Sequence, residues 1–293
     1  MTAPSAIRHI LTLACPDRPG IVHAVSAGLL DIAGNIAENA QFSEPDSGIF
    51  CLRTVVDTDV GDPGDVRAAV LARLAAAGVH VGGAATTVHV RRADHRPKVL
   101  IMVSKADHCL VDLLYRWRTG ALPIDIPAIV SNHPDLAEHA ERHGIEFRHL
   151  PVTPATKADQ ERQLRTLIDE FAIELVVLAR YMQILSTDLC RDLAGRAINI
   201  HHSFLPGFKG ARPYHQAYHR GVKLVGATAH FVTADLDEGP IIEQDVARVN
   251  HSHTAEELTR LGQDTERVVL ARAVRLWSED RIALVGSKTV VFA

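Results

Sequence analysis

The stretch VLIMVS at residues 99–104 is almost continuously apolar, and four further runs of this kind follow it along the chain. Stretches with helical spacing separate these runs, which are IPAIVSN (126–132), IEFRHLPV (145–152), ELVVLAR (174–180) and RAINIHH (196–202). Strands that helices cover on both faces of a parallel sheet have this character. The runs therefore predict an α/β doubly wound, mostly parallel sheet, whose ligands bind at the carboxyl ends of the strands.

The chain beyond residue 220 continues this domain in a different pattern. The runs LVGATAHFVT (224–233) and PIIEQDVARV (240–249) flank the loop ADLDEG, which predicts an antiparallel addition to the sheet. Residues 254–277 predict a long terminal helix that begins with a capping box of Thr254 and Glu257. We interpret the charged residues of 256–280 as the solvated face of this helix.

The first ninety residues form a separate pattern. ILTLAC (10–15) predicts a strand, and a helix follows Pro19 and stops at Gly34. Two strands at 35–44 and 49–57, a helix at 64–77 and a final strand in VHVGGAATTVHV (79–90) complete a βαββαβ order, an α+β unit. The charged stretch RRADHRP (91–97) predicts a linker, so we expect one domain at residues 1–92 and a second at 97–293.

The composition is that of a soluble globular protein, with 47% hydrophobic and 23% charged residues. A net charge of −4 gives no overall attraction to nucleic acid or to a membrane surface. The start MTAPSAIRHI lacks an export signal and the four cysteines form no C-x-x-C pair, so we expect a cytoplasmic protein with buried thiols.

Polar side chains with catalytic potential follow the buried strand at 196–202. Asn199 and His201 stand two residues apart and therefore share one face of the strand end. An amide that donates to a carbonyl oxygen, beside an imidazole that moves a proton, suits acyl-transfer chemistry. Asp237, in the loop before the next strand, could orient the imidazole. Taken singly, each residue could equally satisfy loop backbone groups, but two loops at adjacent strand ends make a more specific signal.

The motifs NIHHSFLPGFKG (199–210) and LDEGPIIEQDV (236–246) resemble those of the folate-dependent formyltransferases. The PDRPGIV stretch (16–22) resembles an ACT domain, a regulatory module, and the pairing of the two is similar to the formyltetrahydrofolate deformylase family. HCLVDLLYR and PYHQAY are also similar to that family, whereas Arg212 departs from its pattern.

The resemblance implies hydrolysis of 10-formyltetrahydrofolate to formate and tetrahydrofolate, a step of one-carbon metabolism linked to purine biosynthesis, with no cofactor. For this reaction we expect Asn199 to donate to the formyl oxygen, and His201 to assist that oxygen and to move a proton to the leaving nitrogen. We expect Asp237 to orient His201 and to position or deprotonate the water. The folate pocket implied by the resemblance is lined by Met182, Gln183, Ile184, Leu185, Thr228, Val232 and Leu236.

The ACT resemblance implies a small amino-acid effector near Asp17, Arg18, Gly20 and Asn35, and pairing of two copies into a homo-oligomer. A helix N-terminus after the PDRPG turn would suit the effector's carboxylate.

Two alternative functions remain open at this point. One is a formyltransferase with an amine acceptor, and the other is an amino-acid sensor whose folate domain is catalytically idle. The turn after VLIMVS reads KADHCL and lacks the glycines of a phosphate-binding turn, which favours water as the acceptor. His251 and His253 suggest a metal pair, but they stand just before a helix cap, and we expect no metal site.

Overall fold

The computed structural model describes residues 6–79, 86–207 and 213–292. The chain divides into two compact units, one of Met1–His95 with Glu279–Ala293 and the other of Arg96–Ser278. The first break lies within the predicted linker. The second differs from our expectation, because the residues after Ser278 belong to the first unit and not to the predicted domain 97–293. Arg212, the departure from the family pattern, lies outside the described residues.

The first unit has the predicted βαββαβ order. Its four antiparallel strands are arranged as β2-β3-β1-β4, so β2 and β4 form the two edges of the sheet. Of the predicted final strand at 79–90, residues 80–85 lie outside the described residues. The elements are β1 (Ile7–Pro16), α1 (Ile21–Asp31), β2 (Asn35–Glu44), β3 (Ile49–Thr58), α2 (Pro63–Ala76) and β4 (Thr87–Arg92).

A C-terminal hairpin packs against the first unit. Its strands are β12 (Ile282–Val285) and β13 (Lys288–Val291), and Val285 and Phe292 form a buried cluster with Cys51 of β3. The helices α1 and α2 cover the opposite face of the sheet, so β3 is buried on both faces. Apolar contact with β3 is the physical reason that the chain end belongs here. We did not predict this hairpin from the sequence.

The second unit contains the predicted doubly wound sheet. Its order is β11-β10-β9-β8-β5-β6-β7, in which the five strands from β9 to β7 are parallel and β10 and β11 are antiparallel additions. The strands are β5 (Lys98–Val103), β6 (Asp125–Ser131), β7 (Glu146–His149), β8 (Leu175–Leu178), β9 (Ala197–His201), β10 (Leu224–Phe231) and β11 (Ile241–Arg248).

Six helices accompany this sheet in the described part of the unit. The last of them starts with the predicted capping box, in which the Thr254 backbone N–H donates to Glu257 Oε2 over 2.7 Å and the Glu257 N–H donates to Thr254 Oγ1 over 3.2 Å. The helices are α3 (His108–Arg118), α4 (Ala137–Glu141), α5 (Lys157–Glu170), α6 (Thr187–Asp192), α7 (Pro213–Arg220) and α8 (Ala255–Ser278). No helix in the described part of the chain is long and apolar enough to cross a bilayer.

The strand order reverses beside β5, because the chain proceeds to β6 and β7 on one side and then to β8 and β9 on the other. Open α/β sheets bind their ligands in the crevice at such a reversal, outside the carboxyl ends of the strands. The segments that follow β5, β8 and β9 all emerge at this edge. Ser104, Arg180 and His201, the last residue of β9, therefore lie in the same part of the molecule.

Candidate active site

Asn199 and His201 lie at the carboxyl end of β9 on the same face of the sheet. The antiparallel partner strand β10 places His230 opposite Asn199 and Thr228 opposite His201. His201 is only 5% exposed. The strand geometry therefore brings the predicted amide and imidazole together at the wall of the crevice.

Asp237 completes this group from the loop between β10 and β11. Its backbone has a positive φ of 57°, and its Oδ1 lies 3.1 Å from Nδ1 of His201. Burial alone would raise the pKa of Asp237, but the hydrogen bond from His201 and the neighbouring histidines hold this pKa below its usual value. Because an ionised carboxylate only accepts hydrogen bonds, Nδ1 of His201 carries the proton. In the neutral ring, Nε2 is then the basic nitrogen.

His230 is a member of the site that the sequence analysis missed. Its Nδ1 donates to the Phe231 carbonyl oxygen over 2.9 Å, and its Nε2 lies 3.2 Å from Nδ2 of Asn199. Burial lowers the pKa of His230, so the ring is neutral and Nε2 accepts a hydrogen bond from the Asn199 amide. This bond fixes the amide orientation and leaves the second N–H of Asn199 for a substrate oxygen. The pairing of β10 with β9 creates the contact.

A cavity of about 590 Å³ adjoins these side chains, a size usual for small-molecule sites. Among the described residues, Nε2 of His201 has no hydrogen-bond partner, although the ring lines this cavity. One wall is formed by the segment after β8 and the loop after β10, which contain all but one of the residues proposed for the folate pocket. They are Met182, Gln183, Ile184, Leu185, Val232 and Leu236.

Thr228 is the exception among the expected pocket residues. Its hydroxyl is fully buried, donates to the Ser203 carbonyl oxygen over 2.9 Å, and accepts from the Leu205 N–H over 3.0 Å and from Gln244 Nε2 over 2.9 Å. Thr228 therefore holds the loop after β9 and does not line the cavity, which differs from the expectation that it would line the folate pocket.

The turn after β5 supports the cavity wall through side chains. The Ser104 hydroxyl donates to Asn132 Oδ1 over 2.6 Å and accepts from the Met182 backbone N–H over 3.0 Å. His108, at the start of α3, lies 2.8 Å from Glu266 Oε2. The turn thus directs His108 toward a carboxylate, an arrangement that disfavours a phosphate ligand.

Glu266, on α8, lines the cavity and is fully buried. This position corrects our interpretation of the charged residues of α8 as a solvated face. Oε1 of Glu266 accepts from the Tyr214 hydroxyl over 2.6 Å, and Oε2 lies 3.3 Å from Nε of Arg180. Burial favours a raised pKa, but His108, Arg180 and Tyr214 together hold the pKa of Glu266 below its usual value.

Gly262 allows Tyr214 to reach Glu266. A Cβ at Gly262 would lie 2.0 Å from Cζ of the Tyr214 ring, so only glycine accommodates the ring against α8 at this point. Gly262 and Glu266 are one helical turn apart. The tyrosine therefore crosses α8 at the glycine and donates to the carboxylate.

The side chains that could hold a metal ion in the described part of the chain are His108, Cys109 and Glu266, whose ligand atoms lie within 4.8 Å of one another. Arg180 already pairs with this carboxylate, and a second cation there would be repelled. The Nδ1 atom of His253 accepts from the Asn250 backbone N–H over 3.1 Å, which assigns this ring to the loop before α8.

The four residues expected at the effector site do not come together within one chain. Asp17, Arg18 and Gly20 precede α1, whereas Asn35 follows it. Eleven helical residues separate the two groups, which corresponds to roughly 16 Å. Arg18 Nη1 donates to the Gly78 carbonyl oxygen over 2.6 Å, and Asp17 accepts a hydrogen bond from Ser43.

Comparisons with known proteins agree with this geometry. The sequence profile of the Formyl transferase family matches residues 97–274. The formyltetrahydrofolate deformylase of Synechocystis sp. is 47% identical over 283 residues, which cover 97% of this chain and 98% of that protein. The crystal structure of formyltetrahydrofolate deformylase from Burkholderia mallei has a TM-score of 0.91 at 49% identity and covers 98% of this chain and 100% of that chain.

A second group of solved structures matches a smaller part of the chain. Glycinamide ribonucleotide transformylase 1 from Symbiobacterium toebii has a TM-score of 0.65 at 30% identity, over 69% of this chain and 97% of that chain. The similarity to the deformylases thus extends over the βαββαβ unit as well as the doubly wound one. The chain belongs to the formyl transferase family and, within it, to the formyltetrahydrofolate deformylases.

Proposed function

We propose that this protein hydrolyses 10-formyltetrahydrofolate to formate and tetrahydrofolate, with water as the acceptor. The observation that carries the proposal is the meeting of Asn199, His201 and Asp237 at one wall of the cavity, in a chain that is similar to deformylases along nearly its whole length. The segment Met182–Leu185 and the loop after β10 provide the pocket for the pterin.

The chemistry follows from the hydrogen bonds of the site. The free N–H of Asn199 donates to the formyl oxygen and stabilises the negative charge that develops when water attacks the carbon. The proton from the water passes to Nε2 of His201, and Asp237 stabilises the imidazolium that forms. His201 then donates this proton to the folate nitrogen as the C–N bond breaks. Formate and tetrahydrofolate are the products.

Water is favoured over a phosphorylated amine by the contacts of the turn after β5. His108 is bonded to Glu266, whose charge Arg180 balances, so neither the imidazole nor the guanidinium is left to pair with a phosphate group. This arrangement disfavours the transferase alternative. The intact group of Asn199, His201 and Asp237 disfavours the alternative of an idle folate-binding sensor.

The decisive experiment supplies the purified protein with 10-formyltetrahydrofolate and no amine, and measures formate. We expect stoichiometric formate, no effect of added glycinamide ribonucleotide, and almost no product from His201→Ala or Asp237→Asn, since acid–base assistance contributes roughly 10²–10⁴-fold. A formylated amine with suppressed formate release would establish the transferase. Folate binding without any turnover would establish the sensor.

We further propose that the first unit binds a small amino acid between two copies of this chain, as the ACT resemblance implies. β2 is an edge strand ten residues long, with Ile36 and Phe42 exposed. Antiparallel pairing of β2 with the same strand of a second copy would bring Asn35 of the partner subunit toward Ser43, which donates to Asp17. This pairing would join the two separated parts of the effector site.

A thermal-shift screen of the common amino acids, combined with the oligomeric state in solution, tests this second proposal. Stabilisation by one amino acid that is lost in Asn35→Ala and retained in Asn39→Ala supports it. A monomer that no amino acid stabilises contradicts it. We include in the proposal that the protein is a cytoplasmic enzyme of one-carbon metabolism, the metabolism to which the reaction belongs.

A further inference from the structure

His202 lies between the catalytic imidazole and the buried ion pair of Arg180 and Glu266. Its ring stacks on that of His201, with centroids 5.0 Å apart and an interplanar angle of 20°. On its other side, Nη1 of Arg180 forms a short hydrogen bond with Nδ1 of His202. The order of contacts is therefore Glu266, Arg180, His202 and His201.

The direction of the hydrogen bonds determines the protonation of His202. A guanidinium only donates, so Nδ1 of His202 must accept and the proton of the ring is on Nε2. Burial, followed by the charge of Arg180, lowers the pKa of His202 to about 4. The second ring of the histidine pair is thus neutral at the pH at which the first must gain and lose a proton.

Glu266 compensates the charge of Arg180. Without this carboxylate, the guanidinium would place a net positive charge near His201 and disfavour its imidazolium form. The other titratable or charged groups facing the histidine pair are Asp237 and His230 from β10 and its loop, Tyr214 and His215 from α7, and His108 through Glu266.

We propose that Glu266, Arg180 and His202 are positioning residues for His201. The Arg180–Glu266 pair supplies the hydrogen bond that holds His202 neutral and stacked on His201, and it does so without adding net charge to the site. This inference rests on the proposed hydrolysis, in which His201 moves the proton.

The first test compares the pH profiles of kcat for Glu266→Gln, Glu266→Asp and the exposed control Glu256→Gln on the same helix. Glu266→Gln leaves the positive charge of Arg180 uncompensated, so the part of the kcat–pH curve that rises or falls between pH 5 and 8, called the limb below, moves to lower pH by about 1 unit. In the same variant kcat falls roughly 10–100-fold with little change in KM. Glu266→Asp keeps the limb in place because it keeps the charge. Glu256→Gln changes neither quantity.

The second test removes the opposite charge. In Arg180→Met the Glu266 carboxylate is uncompensated, and the same limb moves to higher pH, whereas the double variant Arg180→Met with Glu266→Gln returns it to the wild-type position. Loss of packing alone cannot produce shifts of opposite sign. Limbs that stay in place, or that move in the same direction in both variants, overturn the proposal.

A third measurement does not depend on activity. Imidazole NMR of the ¹⁵N-histidine-labelled protein, with His202 assigned by its loss in His202→Gln, should show the neutral Nε2–H form down to about pH 5. It should show protonation at higher pH in Arg180→Met, where the donor is lost. If the protein shows these NMR signals but releases no formate, the contacts of Glu266, Arg180 and His202 are as proposed and the proposed hydrolysis is wrong. A protonated His202 at pH 6 in the wild type overturns the proposal.

Discussion

The amide nitrogen of Asn199 lies 3.2 Å from Nε2 of His230, its partner across the β9–β10 pair. His230 is in turn held by the Phe231 carbonyl oxygen on its other nitrogen. The side chain that we assign to the formyl oxygen is thus oriented by a neutral histidine, and not by a loop backbone group.

Replacing His230 by leucine should therefore reduce turnover through the orientation of Asn199. His230→Leu removes the acceptor that orients Asn199 but keeps the volume and the neutral charge, and we expect a loss of kcat smaller than that of Asn199→Ala. Loss of one oxyanion donor costs about 10²–10³-fold. Formate release measures kcat for both His230→Leu and Asn199→Ala. His149→Gln replaces an exposed histidine and serves as the control. Wild-type kcat in His230→Leu would contradict the role.

Acid should destabilise the protein through His202. Its pKa is lowered from 6.5 to about 4, so between these values the ring is neutral when folded and protonated when unfolded. The unfolded chain then binds more protons, and stability falls as the pH decreases through this window, by about 3 kcal/mol in total for a shift of this size. Urea denaturation at pH 7.5, 5.5 and 4.5 should show a flatter decline in His202→Gln. Parallel declines in both proteins would assign the effect elsewhere.

Gly262→Ala should destabilise the second unit, although alanine favours a helix over glycine by about 1 kcal/mol. The new methyl group would overlap the Tyr214 ring, and overpacking of this kind costs about 1–3 kcal/mol. The ring must move away from α8 and lose its hydrogen bond to Glu266. We expect a lower Tm and a lower rate of formate release, whereas Gly61→Ala, whose Cβ meets only ordinary contacts, should leave both unchanged. A higher Tm in Gly262→Ala would show that helix propensity outweighs the overlap.

The C-terminal hairpin should protect the Cys51 thiol. Val285→Asp buries a charge in the cluster that Val285 forms with Cys51, so this face should open more often and Cys51 should react at least ~10-fold faster with a thiol reagent. Leu284→Asp, on the exposed face of the same strand, should not change the rate. Cys15 packs with the helices on the opposite side of the sheet and should remain unreactive in both variants. Equal labelling of Cys51 in the two variants would exclude protection by the hairpin.

Removal of metal ions should leave the activity intact. Asn199 and His201 polarise and protonate the substrate without a metal. At the group of His108, Cys109 and Glu266, the Glu266 carboxylate already pairs with Arg180. We expect unchanged formate release after exhaustive dialysis against a chelator, with metal content checked by elemental analysis. Activity that is lost and then restored by zinc or iron would show that a metal takes part.

The sequence predicted those features that depend on local pattern. The continuously apolar strands, the βαββαβ order and the capping box at Thr254 follow from residue spacing, and the structure has them as expected. His230 and Glu266 could not be found in this way, because their roles depend on which strand or helix lies beside them. Glu266 lies on the buried stripe of α8, four residues from Gly262 and from Leu270, but its charge indicated a solvated position. Only the contacts with Tyr214 and Arg180 show why a carboxylate is buried there.

The hairpin illustrates a second limit of sequence patterns. In residues 282–291 apolar and polar residues alternate only weakly, and the stretch follows a long helix. This pattern suggested a tail of the second domain. Their partner is β3, more than 220 residues earlier, where Arg53 donates to the Glu279 carbonyl oxygen over 3.1 Å. The burial of β3 on both faces is the feature that indicates an additional covering element. A small antiparallel sheet ordinarily leaves one face to solvent.

The return of the chain to the first unit also sets an order of events during synthesis. Domains generally fold as units while the ribosome elongates the chain, the N-terminal one first. Here residues 96–278 are complete before the ribosome reaches the hairpin, whereas the unit that starts earlier still lacks the strands that cover Cys51. A chain that ended near residue 280 would therefore hold every residue of the second unit, while the N-terminal sheet would keep only the cover of α1 and α2.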